Sequence, residues 1–401
     1  MGSATSTMHH LPEAILTEIL ARLPLRSISR FKSVSKTLKA TLESVYFRRL
    51  FVSLHKDLSS SWSLISPGGK ELIGFHGCKT WDLPKSLGSF ISLPLGYDFK
   101  ASSNELVLIE RHDGCSYVGN PVLQQWVKIP QPPPDYSIVL ALVTRVDEDG
   151  VVLSFKVVRV ATVVFESFNH SWTLNVFVYS SETGIWTSKI LHCPHLIVSN
   201  RVAKNLNGTI YCINGLGVVV AHDFYSESDH FLVVHLPENS NHSSNNNNNG
   251  VLTTSGGFIM YMKSLEQERR TVLKVWRLNY NDKSWQLLYE INSLCGFVPI
   301  AMHPFDSDIV YLCYQQSHRR HLVACNLGTE TLIDPARESN GDFYMNQSCF
   351  EEYMDNLRPS DWDYTVVNRL FQSVLPRWME PVPRPPLVEM IDTSSLLSQV
   401  A

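Results

Sequence analysis

No run of eighteen apolar residues occurs in this chain, so no segment is expected to cross a bilayer as a helix. Paired cysteines are missing too. The eight cysteines stand singly with no Cys-x-x-Cys, which argues against a disulfide framework and for reduced thiols inside a cell. Neither charge sign dominates. A net charge of −4 over 401 residues implies no general attraction to nucleic acid or to an anionic membrane. The first residues lack the basic and apolar regions of a secretory leader, so none is expected. Met1-Gly2-Ser3-Ala4-Thr5-Ser6 fits a myristoylation pattern, but no basic residue follows at once to help a single acyl chain hold a membrane.

Catalytic signatures are equally scarce. There is no Gly-x-Ser-x-Gly elbow, no Walker loop and no His-x-Glu deaminase element. Gly215-Leu216-Gly217 lacks the third glycine and the following helix of a dinucleotide site. His192-Cys193-Pro194-His195 offers three metal ligands where a closed zinc site needs four, and no second pair stands at a suitable spacing. His318-Arg319-Arg320-His321 reads as a solvated hairpin tip, and Arg269-Arg270 with Lys274 as a solvated strand edge. The expectation is a chain with no catalytic residue, no cofactor and no metal.

What is present begins with a helical stripe. Leu11, Ile15, Leu16, Ile19, Leu20 and Leu23 recur at steps of three and four. Pro12 suits a first helical turn and Pro24 ends the helix. A second short helix follows, with Ser27 as a candidate N-cap and Ile28, Phe31 and Val34 turned inward. A third runs from about Ser35 to Glu43, with Leu38 and Leu42 on one face. About forty residues cannot enclose a stable core alone. This segment must finish burying itself on a partner or on the rest of the chain.

From about residue 60 to 335 the pattern becomes short runs rich in Val, Ile, Leu, Tyr and Phe, separated by turn residues and without crossover helices. A polar turn followed by a large apolar residue recurs, ending at Trp126, Trp186, Phe231, Trp285 and Leu332, roughly every fifty residues. That period suggests kelch-like blades, each a four-stranded sheet whose two apolar faces are buried by its neighbours in a ring. The aromatic after the turn is expected to pack between blades. A pair of β-sandwiches is the competing reading. Pro237 to Gly250, with Asn245 to Asn249 in a row, is a low-complexity loop. After residue 340 a stripe of Phe350, Tyr353, Met354 and Leu357 predicts a helix. A stripe of Trp362, Val366, Val367, Leu370, Phe371 and Val374 predicts another, ended by Pro376. Pro381 to Pro386 reads as extended polyproline, and the end of the chain as disordered.

Leu11-Pro12, Ile15-Leu16, Ile19-Leu20, Leu23-Pro24, Phe31, Val34-Ser35-Lys36 and Phe47-Arg48-Arg49 together resemble an F-box of the plant type. Asn120-Pro121 to Trp126, and Leu206-Asn207-Gly208-Thr209-Ile210-Tyr211, resemble phrases of the F-box-associated region of plant F-box proteins. One departure is Leu38, where plant F-boxes usually carry Trp; it keeps the apolar role with less area. The alternative is an ordinary helical hairpin packed on the main domain.

The resemblance implies an α+β multidomain chain: a disordered start (1–9), a three-helix F-box (10–52), a propeller of six or seven blades (53–340), C-terminal helices (341–376) and a flexible Pro-rich tail (377–401). It also implies a substrate receptor of a Skp–cullin–F-box ubiquitin ligase in the nucleus or cytoplasm. Leu11, Pro12, Ile15, Leu16, Leu20, Leu23, Pro24, Ile28, Phe31 and Val34 would touch the Skp adaptor, a cullin would join through that adaptor, and the propeller would hold a target protein. Two rivals stand beside it, a propeller enzyme of the kelch oxidase kind and an F-box scaffold or transcriptional cofactor outside a ligase.

Overall fold

A computed structural model describes residues 12–55, 61–75, 78–83, 96–131, 139–166, 171–195, 203–213, 217–237, 250–267, 270–294, 296–316, 319–333, 343–356, 370–386 and 388–398. The start of the chain and the asparagine-rich stretch at 238–249 lie outside them.

Four short helices come first: α1 (Glu13–Leu20), α2 (Leu25–Phe31), α3 (Lys36–Leu42) and α4 (Val45–Leu54). Local chemistry sets their breaks. Pro12 and Pro24 stand at the N-caps of α1 and α2 with extended backbone, where a missing N–H leaves no bond unmade. The second helix thus starts at Leu25, two residues before the expected Ser27 cap. The Ser35 and Ser44 hydroxyls accept from the Leu38 and Phe47 N–H groups and open α3 and α4. The fourth helix, ten residues long, is an addition to the three expected.

The remainder is a ring of six antiparallel sheets. The first sheet contains β1 (Trp62–Ile65) and β2 (Glu71–Phe75). The second holds β3 (Tyr97–Ser103), β4 (Leu106–Arg111), β5 (Ser116–Asn120) and β6 (Gln125–Ile129). The third holds β7 (Val139–Val146), β8 (Val152–Glu166), β9 (Ser171–Ser180) and β10 (Trp186–Cys193). The fourth holds β11 (Lys204–Leu206), β12 (Thr209–Ile213), β13 (Val218–Asp223) and β14 (Leu232–His235). The fifth holds β15 (Val251–Ser255), β16 (Phe258–Gln267), β17 (Arg270–Asn279) and β18 (Ser284–Ile291). The sixth holds β19 (Phe297–Met302), β20 (Ile309–Gln316), β21 (Arg319–Asn326) and β22 (Thr331–Ile333). In each of the last five the chain runs from the strand nearest the axis outward.

The recurring turn of the sequence is the link between third and fourth strands. Trp126, Trp186, Trp285 and Leu332 lie on fourth strands, and Phe231 just precedes one. Trp186 bridges blades as expected, its indole N–H donating to the Pro130 carbonyl beyond β6 at 2.8 Å. Leu332 does not, and stands exposed on the outer edge. Asn207-Gly208 makes the hairpin from β11 to β12. Both residues have positive φ, 49° and 82°, as a tight turn of this hand requires. A Cβ on Gly208 would meet the Tyr225 ring at 2.9 Å.

The first blade is assembled from both ends of the chain. β23 (Phe343–Met345) pairs with β2 on the outside, and β24 (Phe371–Val374) pairs with β1 on the inside. Between them α5 (Gln347–Asp355) buries Phe350, with the Asn346 side chain as its cap. The sequence suggests a second helix through residue 374, but Phe371–Val374 is a strand, with Phe371 and Ser373 buried and Gln372 and Val374 less so. The part of that stripe from 357 to 369 lies outside the described residues. The expected flexible tail is also ordered where it is described. Val382 is buried, β25 (Met390–Asp392) adds a fifth strand beside β6, and α6 (Thr393–Ser398) buries Leu396. An edge strand exposes unpaired backbone groups, and β25 covers those of β6.

Candidate partner-binding surfaces

The helical segment has two apolar faces. On the inward face Leu20, Leu25, Ile28, Leu42, Phe47 and Phe51 are all buried, and they join one core with Phe75, Trp81, Leu375 and Trp378 of the ring. Trp378 is the centre of this seam, 5.2 Å from Phe51 and 6.0 Å from Phe47 between ring centres. Six such side chains withdrawn from water stabilise the seam by on the order of 10 kcal/mol as an upper bound. Polar contacts fix its orientation. Arg48 meets Asp147 at 2.7 Å and Asp149 at 3.1 Å, and Arg49 meets Glu148 at 3.2 Å. The Leu25 N–H donates to the Thr80 carbonyl at 2.8 Å.

The outward face carries Ile15 and Ile19, each 48% exposed, with Phe31 and, at 67%, Val34. Pro12 is exposed beside them, while Leu16, Leu23 and Pro24 are half-buried. Leu20 and Ile28, expected on this face, point into the seam instead. A helix one turn from Ile15 to Ile19 turns Leu16 and Leu20 toward the ring. Leu11 lies outside the described residues. Leu38 packs against the seam core rather than standing free. Ile19 belongs to the same stripe and extends the exposed face.

A second surface lies on the ring axis. A cavity of about 190 Å³ is lined by all six innermost strands or the turns that leave them. Asn104, Gly150, Asn207, Gly257, Phe305 and Arg377 stand around it on those turns and beyond β24. Gly150 belongs to the β7–β8 turn whose Asp147 and Asp149 hold Arg48, so the helical segment docks beside this opening.

Side chains tie the blades across the axis. Ser103 donates to the Asn205 amide oxygen at 2.9 Å, and the Asn205 amide donates to the Ser102 carbonyl at 2.5 Å. Gln372 donates to the Met302 carbonyl at 2.8 Å and accepts from Thr254 at 2.8 Å. Lys204 of the fourth blade crosses to the Leu370 carbonyl beside the first, at 3.0 Å. Desolvation pushes its ammonium down to about 8. Desolvation also pushes the Glu105 carboxyl up to about 7, partly opposed by backbone N–H donors and by Arg377.

Comparison with known proteins covers both parts of the chain. Residues 60–384 match the family described as F-box protein At3g26010-like, beta-propeller, and residues 8–50 match the F-box domain. The chain belongs to this family. It is 55% identical to F-box protein At3g26010 of Arabidopsis thaliana, over 98% of this chain and 95% of that one. It is 45% identical to At4g22430 of the same plant, named an F-box/kelch-repeat protein, over 100% and 99% of the two chains. Among solved structures, an oligogalacturonate lyase in complex with manganese aligns over 64% of this chain and 68% of its own, at 9% identity and a TM-score of 0.35, a likeness that carries no argument.

The helical segment is therefore an F-box followed by a six-bladed propeller. The other polar motifs have structural surroundings. Cys193 is buried, its thiol pushed up to about 11 by desolvation, and His195 lies edge-on to His235 at 6.1 Å. Among the described residues no three His, Cys, Asp or Glu side chains gather as metal ligands. Arg320 is no solvated tip residue, since it donates to the Met354 carbonyl at 3.0 Å and ties down α5. Lys274, read from the sequence as part of a solvated edge, is buried and paired with Glu290 at 3.5 Å.

Proposed function

We propose that this F-box protein is the substrate-recognition subunit of a Skp–cullin–F-box ubiquitin ligase, acting in the nucleus or cytoplasm. The observation that carries the reading is the face left over after docking. Burying Leu20, Ile28, Phe47 and Phe51 on the propeller leaves Ile15 and Ile19 exposed on α1, Phe31 exposed at the end of α2 and Val34 exposed in the turn after it. Four large apolar side chains left exposed within one short helical domain point to a protein partner. The Skp adaptor would cover them, with Pro12, Leu16, Leu23 and Pro24 at their margin and Leu11 preceding them. A cullin would join through the adaptor. The propeller would hold the target, and the chain would do no bond chemistry. Its contribution is to raise the effective concentration of a target lysine near a ubiquitin-loaded enzyme.

The seam adds a physical element to this reading. An F-box fixed to its propeller by a buried aromatic cluster and two arginines holds the target at a set distance and angle from the adaptor. A freely jointed F-box would spread that geometry over many orientations. The test is capture of a Skp adaptor and a cullin by the purified chain. Ile15→Asp combined with Val34→Asp should reduce capture at least about tenfold, since a carboxylate placed in an apolar interface costs several kcal/mol. The melting temperature should stay within about 2 °C, because both side chains are exposed. Undiminished capture by this variant would exclude the face. Capture of the adaptor without a cullin would favour the scaffold reading.

A further inference from the structure

We infer that the axial cavity binds a carboxylate, presented by an acidic side chain of a target peptide or by a small dicarboxylic acid, with Lys204 and Arg377 as its cations. The peptide form rests on the target-receptor reading above; the small-acid form does not.

The inference begins from the ions of the cavity. Ser103, Asn205, Gln372 and Thr254 are engaged with one another or with backbone, so they serve mainly to hold the ring together. Lys204 differs. Its ammonium has three protons, and the bond to the Leu370 carbonyl uses one. Among the described residues no carboxylate stands within ion-pair distance of it, and burial alone accounts for its lowered affinity for protons. A half-buried ammonium that no carboxylate among the described residues faces is unfavourable, and an incoming anion relieves that cost.

Arg377 supplies a second cation at the opening. It lies across Gly150, where a Cβ would come within 3.0 Å of its Cδ, so the missing side chain leaves room for the arginine stem. The acidic residues of that turn are already engaged, because Asp147, Glu148 and Asp149 hold Arg48 and Arg49. Among the described residues Glu105 is the one carboxyl on the cavity wall. Its raised pKa leaves a large share of it protonated near neutrality, and a protonated carboxyl can donate a hydrogen bond to an arriving carboxylate. A void of about 150 Å³ accepts a benzene-sized guest, so 190 Å³ suits one acidic side chain or a small diacid.

The full-length chain would be titrated by calorimetry with a capped Glu-Gly repeat peptide, its Gln-Gly counterpart, succinate and a capped phosphoserine peptide. The expected result is saturable binding of the Glu-Gly peptide, of succinate or of both, weakening with added salt, and none of the Gln-Gly peptide. Which probe binds tells a peptide ligand from a small acid. Lys204→Met should weaken binding at least about tenfold, with Lys204→Arg retaining most of it. Should Lys204→Met misfold for want of its cross-channel bond, Arg377→Gln is exposed and should weaken binding about threefold on an intact fold. Equal binding of the Glu-Gly and Gln-Gly peptides, tighter binding of phosphoserine, no binding of either acid at millimolar concentration, or full affinity in both variants would overturn the inference. A chain that captures the adaptor but takes no acid refutes this site alone. One that takes the acid but no adaptor refutes only the ligase reading.

Discussion

The inner and outer faces of the F-box are made from the same residue types and have opposite fates. Leu20 is 3% exposed and Ile15 is 48% exposed, although they stand five residues apart on one helix. The difference lies in what each face meets. The inner face meets Trp378, Trp81 and Phe75, which come from distant parts of the chain. Ile15, Ile19, Phe31 and Val34 of the outer face join no core cluster among the described residues. Helical periodicity says that a face is apolar; it does not say whether the protein covers it itself. Here one stripe is divided between side chains docked on the ring and side chains left exposed.

Breaking the inner face should have the largest effects. A chain lacking residues 1–54 would expose Trp378, Trp81 and Phe75 together, so we expect it to aggregate rather than persist as a soluble propeller, read by size-exclusion chromatography. A soluble monomer would mean that the seam is dispensable to the ring. Phe51→Ala should lower the unfolding free energy by about 3–5 kcal/mol in urea titration, the usual loss for a buried phenylalanine. Arg48→Ala should lower it by about 1 kcal/mol, because the ion pair with Asp147 and Asp149 is only partly shielded from water. If Arg48→Ala were worth as much as Phe51→Ala, the seam would be held by charge rather than by packing.

The smallest effect expected is a pH slope away from the seam. Folding raises the Glu105 pKa from the ordinary 4.5 to about 7, so the folded chain holds this proton more tightly than the unfolded one. Its contribution to stability is full below pH 4.5 and is lost as pH rises through about 7. Glu105→Gln cannot titrate. Its urea midpoint relative to the parent chain should therefore rise between pH 5 and pH 8, and an unchanged difference would show that Glu105 is solvated.

The parts of the fold that repeat locally were legible in the sequence. The turns before Trp126, Trp186, Phe231 and Trp285 mark fourth strands because each blade solves the same packing problem with neighbours close in sequence. The first blade was not legible. Its strands come from residues 62–75 and 343–374, so no single window holds its period. Phe371 and Val374 fit a helical step as well as a strand, and pairing with β1 decides for the strand. The exposed apolar face of the F-box was half legible. Its composition was evident, but Leu20 and Ile28 could be assigned inward only once Trp378 was known to lie beneath them. Lys204 and Glu105 carry no sequence signal at all. Their placement on one cavity is a product of ring closure, which brings the second and fourth blades to a common axis.

The split first blade has a consequence for synthesis. β1 and β2 leave the ribosome early, yet β24 ends at Val374 and Trp378 follows it. Roughly 300 residues separate the two halves, and at about 5–20 residues per second translation needs about 15–60 s to supply the second. Until then the ring is open, and the F-box lacks Trp378, the centre of its docking seam. A chain stopped anywhere before residue 374 therefore carries its helices without Trp378 and Leu375 beneath them and its first sheet incomplete, a form that chaperones and proteases would recognise. The docked F-box and the closed ring therefore come together only once the last strand has been made.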